Sequence, residues 1–113
     1  MEDPTVPKDK KQEFNGVLTR SVDETITQLL GENVVVALHK HLLQFYDITM
    51  DEIPYRLDTL LSVLEKTFGT SARTISNAIA RKFYSELGLE FRSKSGMTLV
   101  DYIEEAKTTL GGK

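Results

Sequence analysis

Apolar residues in this 113-residue chain recur three and four positions apart, and four of the five such runs stop at a glycine. That rhythm fixes the backbone more tightly than anything else in the sequence, because only an α-helix brings positions i, i+3, i+4 and i+7 onto one face. Val22, Ile26, Leu29 and Leu30 run up to Gly31; Leu57, Leu60, Leu61, Leu64 and Phe68 run up to Gly69. Ile75, Ile79, Phe83 and Leu87 run up to Gly88, and Leu99, Ile103, Ala106 and Leu110 run up to Gly111. Glycine just past a helix supplies the positive φ that closes it. The remaining run, Val35, Leu38, Leu42 and Phe45, keeps the same spacing, and this outweighs the strand preference of the β-branched Val34, Val35 and Val36. The spacing predicts an all-α fold: a compact bundle of about five short helices.

Start signals complement the stops. Ser21 with Glu24 and Thr98 with Asp101 have capping-box spacing, in which hydroxyl and carboxylate satisfy each other's end of the first turn. Asn33 is placed to cap the second helix, Thr70 or Ser71 the fourth, and Thr49 with Glu52 a short turn. Pro54 biases Ile53 towards extended backbone. Leu89-Glu90-Phe91 alternates as a short extended segment, and Arg92 to Gly96 is a polar loop. Residues 1–20 hold four basic and four acidic side chains with Pro4 and Pro7, and few apolar anchors, so they are expected to form a disordered, flexible N-terminal arm. One helical domain over 21–113 is expected to follow.

Composition removes several function classes. A net charge of −3 is neither that of a basic nucleic-acid coat nor that of an acidic tail. The absence of cysteine excludes disulfide scaffolds, thiolate metal sites and cysteine nucleophiles. The longest apolar run, Val34 to Leu38, is far too short for a bilayer span, so no membrane association is expected. With no basic-then-apolar leader, a cytoplasmic location is expected.

Catalytic chemistry finds little purchase. His39 and His41 are two apart, so on a helix they diverge by about 200° and cannot share a metal ion; they read as surface or boundary residues. Ser93-Lys94-Ser95-Gly96 lacks the glycine-rich strand-to-helix setting of a phosphate loop. Glu104 and Glu105 are adjacent and diverge. No nucleophile, base and orienting group stand together, so the expectation is no enzyme, no cofactor and no metal.

The fourth predicted helix, at about 71–87, carries a more specific pattern. Phe68-Gly69-Thr70-Ser71-Ala72-Arg73-Thr74-Ile75-Ser76 is similar to the turn and second helix of bacterial helix-turn-helix repressors. Ser71, Arg73, Thr74, Asn77 and Arg81 form the candidate binding surface, Arg73 and Asn77 having the chemistry to read guanine and adenine. Residues 70–95 carry a net charge of +3 and residues 21–69 a net charge of −5, a polarity that suits a phosphate-facing surface. Two positions depart from the motif: Glu65 stands where it wants a small buried residue, and Thr70 where it wants an apolar one. A tight helical corner with a solvated Arg/Asn face is the simpler account and is preferred. Tyr46, Tyr55, Tyr84 and Tyr102 fit either the core boundary or an aromatic patch at a homodimer interface.

Over Val22 to Phe91 the chain resembles the small archaeal domains grouped as Nitrosopumilus output domains. The resemblance rests on Leu30-Gly31-Glu32-Asn33, Asp51-Glu52-Ile53-Pro54, the run Leu60 to Gly69, and Phe83-Tyr84-Ser85-Glu86-Leu87-Gly88-Leu89-Glu90-Phe91. It implies an effector or interaction module of archaeal signalling and regulatory proteins, and it supplies no activity. The expectation is therefore a non-catalytic regulatory or protein-interaction module, its partner another protein or a second copy. DNA binding through the fourth helix is the alternative.

Overall fold

A computed structural model describes residues 7–111. Five α-helices follow in order: α1 (Pro7–Leu30), α2 (Glu32–Tyr46), α3 (Leu57–Phe68), α4 (Ser71–Leu87) and α5 (Leu99–Gly111). A 3₁₀ turn (Met50–Tyr55) joins α2 to α3, and no strand occurs among the described residues. Gly31, Gly69 and Gly88 all adopt positive φ, with Gly88 left-handed at φ 76° and ψ 21°. α2 ends without a glycine: Asp47 takes the left-handed conformation at φ 57° and ψ 40°, and its N–H donates to the Leu43 carbonyl.

The apolar stripes meet in one core. Leu18, Val22 and Ile26 of α1, Leu60 and Leu64 of α3, Ile79 and Phe83 of α4, and Leu99, Tyr102 and Ile103 of α5 are all buried. α1 and α4 form the main seam; α1 also carries α2 and the 3₁₀ turn, while α5 closes over α3 and α4. The Phe14 and Phe83 rings meet edge to face at 5.1 Å across the seam.

Several local expectations change. α1 begins at Pro7 and so takes in residues ahead of Ser21; residues 1–6 lie outside the described residues. Leu18 is buried and Phe14 and Val17 pack against the core, so these three apolar residues fall on one helical face. Ser21 therefore caps nothing: it is a fully buried residue inside α1. Asn33 lies inside α2, whose cap position is Gly31. Ile53 is not extended, because the 3₁₀ turn continues through Pro54 with Ile53 buried beneath it. Leu29, Leu30, Phe45 and Leu110, assigned inward by spacing, are exposed, since each stands at a helix end beyond the reach of the core.

Candidate functional site

Two surfaces come into question, the outer face of α4 and the outer face of α2. On α4, Ser71, Arg73, Thr74 and Arg81 are exposed and Asn77 is half-buried. Arg73 and Asn77 come together with Ser76 on one wall of a shallow groove of about 620 Å³, opposite Leu61 and Glu65 of α3 and the start of α5. Ser71, Thr74 and Arg81 do not line it. Arg81 instead lies over the Phe91 ring, 5.7 Å from its centroid. The five residues are thus divided between a groove, a helix end and a cation–π contact.

The electrostatics of this face differ from the count along the sequence. The Lys82 Nζ pairs with Glu24 of α1 at 3.3 Å and with Glu86 at 3.5 Å. The hydrogen bond and charge of Glu24, then Glu86, hold the Lys82 ammonium above the ordinary lysine range against its partial desolvation. Lys94 pairs with Glu105 at 2.8 Å and Arg92 with Glu90 at 3.5 Å. Glu24 and Glu105 come from outside residues 70–95, so folding imports negative charge that a sequence window omits. Only Arg73 and Arg81 of the five cations in that window lack an ion pair among the described residues, and Glu65 shares the groove with Arg73.

Nor is the start of α4 an open anion cradle. Gly69 bends the chain at φ 61° and ψ −132°, and Thr70 is already helical at φ −66° and ψ −20°, with no side-chain bond to the cap. The expected cap by Thr70 or Ser71 is therefore absent. The Ala72 N–H donates to the Gly69 carbonyl at 3.0 Å and the Arg73 N–H to the Thr70 carbonyl at 3.4 Å. These amides are spent on the corner itself. Glu65 and Thr70, where a helix-turn-helix wants burial, are both exposed.

On α2, Val35, Leu38 and Leu42 face inward. The helix packs principally on α1, and Val36 and Leu43, two helical turns apart on the same flank, are 48% and 53% exposed. Phe45, 65% exposed, stacks on His41 at 4.8 Å on the opposite flank. Between the apolar flanks runs a polar ridge of Asn33, Lys40 and Gln44. Leu29 and Leu30 are exposed at the α1–Gly31–α2 corner. Spacing alone did not single out Val36 and Leu43. Their signal was an excess: Val34, Val35, Val36, Leu42 and Leu43 are more apolar positions than one face of a 15-residue helix can bury.

The histidines separate as their spacing requires. His39 Nε2 stands 2.8 Å from Asp23 Oδ1, linking α2 to α1, whereas His41 is exposed against Phe45 and Tyr46. Tyr84 and Tyr102 are buried, Tyr46 is half-buried and Tyr55 is exposed. A further groove of about 790 Å³ runs between α1, the 3₁₀ turn and α5, walled by Phe14, Leu57, Leu87 and Ile103. Its charged rim includes Glu104 and Lys107, which pair with each other at 3.9 Å. Among the described residues no three His, Asp or Glu side chains converge as a metal site, and no helix is long and apolar enough to cross a membrane. No family model, curated protein or solved structure matches this chain.

Proposed function

We propose that this domain is a non-catalytic protein-interaction module, cytoplasmic and of the regulatory or signalling-output kind, that engages its partner through α2. The observation that carries this reading is the pair Val36 and Leu43, exposed two turns apart on one flank of a helix that packs principally on one neighbour. Apolar side chains grouped on one flank and bordered by polar residues are what a protein-docking surface presents. The archaeal setting rests on the resemblance of Val22 to Phe91 alone.

The reading competes with nucleic-acid binding through α4, and one titration separates them. A labelled random duplex of about 20 base pairs at low salt, the regime in which non-specific binders reach about 10⁻⁴ to 10⁻⁶ M, is the appropriate probe. The expected anisotropy trace stays flat, because three of the five nearby cations are neutralised within the fold. A rise that weakens with salt and vanishes in the Arg73→Glu, Arg81→Glu double variant would replace this reading with the DNA-binding one.

A further inference from the structure

We infer that the partner α2 fits is a second copy of this chain, docked antiparallel about a two-fold axis at Val36. This rests on the reading of α2 as the docking element, and the charges on that helix choose the occupant. Glu32 and Lys40 each lie four residues from Val36, one on either side, which on a helix is about 6 Å along the axis. Both are exposed, and neither has an ion-pair partner among the described residues.

A two-fold interface is self-complementary: whatever residue i meets in the partner, that residue meets i. With the axis at Val36, Val36 packs on its own copy. Glu32 then faces the partner's Lys40, and Lys40 the partner's Glu32. Leu43 reaches towards the partner's exposed corner at Leu29 and Leu30. Other arrangements fail on charge. A parallel pair sets Glu32 against Glu32 and Lys40 against Lys40. An antiparallel pair shifted to bring Val36 onto Leu43 sets Glu32 against Asp47 and Lys40 against His39. Only the register centred on Val36 combines apolar contact with two opposite-charge pairs. One 15-residue helix offers less area than the roughly 800 Å² per subunit of a standard interface, so the dimer is a weak one that forms at high concentration.

The test uses sedimentation velocity on the full chain from about 10 µM to 1 mM. The wild type is expected to pass from monomer to dimer across that range. Glu32→Lys and Lys40→Glu are each expected to weaken the dimer about tenfold or more, since either reversal turns both symmetry-related pairs repulsive. An equimolar mixture of the two variants is expected to recover association. In the mixed dimer the two substituted side chains face each other with opposite charge, and the native Lys40 of one copy meets the native Glu32 of the other. Circular dichroism checks that each variant keeps its helix content. As a second readout, Val36→Cys in this cysteine-free chain is expected to cross-link under mild oxidation, and Ser85→Cys on α4 is not. A chain that stays monomeric at 1 mM overturns the inference, as does a dimer indifferent to both reversals. Either result leaves the docking reading to stand or fall on the duplex titration.

Discussion

Tyr84 ties α4 to α5 by donating its hydroxyl to the Tyr102 carbonyl at 2.7 Å, inside a cluster with Phe83, Phe91 and Tyr102. Burial, then the charge of Glu105 and the nearby Tyr102, raise the Tyr84 phenol above the ordinary tyrosine value. An unfolded chain releases that proton near pH 10 while the folded chain still holds it. The associated stability is therefore complete below about pH 10 and is lost as pH climbs through the raised folded value. Tyr84→Phe should cost about 1 kcal/mol near neutrality and flatten the alkaline fall, as urea denaturation at pH 7, 9 and 11 would show. A Phe variant as stable as wild type at pH 7 would mean the bond contributes nothing.

Ser21 gives a test by sign. Its hydroxyl and that of Thr25 are buried without a hydrogen-bond partner among the described residues. Removing such a group relieves a desolvation penalty, so Ser21→Ala should stabilise by about 1 kcal/mol. A helix cap would behave oppositely, losing about 1 kcal/mol on the same change. The four-residue signal from Ser21 to Glu24 was readable, but its meaning depends on whether the preceding turn is already helical. Here it is, and Glu24 turns outward to Lys82 instead.

At the scale of elements, the expected caps form at Thr98 and Thr49 and do not form at the glycine corners before α2 and α4. Thr98 and Asp101 make both halves of their box, at 3.0 and 3.2 Å, and the Thr49 N–H donates to Glu52 Oε1 at 2.9 Å. Thr98→Ala should then cost about 1 kcal/mol in thermal or chemical melts. Ser71→Ala, at a corner closed by backbone bonds alone, should change stability by under about 0.5 kcal/mol. Equal losses at both sites would mean that Ser71 does cap α4. The 3.6-residue period placed Ile75, Ile79 and Phe83 inward correctly because α4 has α1, α3 and α5 around it. It misplaced Phe45 and Leu110 because periodicity carries an angle about the axis and no information on where the neighbouring helices end. If Val36 and Leu43 are surface residues, replacing both by Lys should leave folding stability within about 1 kcal/mol. A cooperative transition weakened by several kcal/mol would place them in the core.

For the whole molecule, the fold class was legible because every helix carries its own period and four of the five runs meet a glycine. The candidate site was less so, because charge and exposure are settled by contacts distant in sequence. Lys94 meets Glu105 eleven residues on, and Lys82 meets Glu24 across the main seam. Those pairings remove most of the positive face that residues 70–95 display in one dimension. They leave Glu32 and Lys40 of α2, which have no ion-pair partner among the described residues, bracketing an exposed valine. An amide-resolved NMR dilution series of the full chain, with labelled duplex added at its end, places both faces in one measurement. Concentration-dependent shifts are expected in α2 around Glu32, Val36, Lys40 and Leu43, with the resonances of Ser71 to Arg81 unmoved by the duplex. Stationary α2 resonances, with Arg73, Asn77 and Arg81 shifting as duplex is added, would contradict the interaction-module reading.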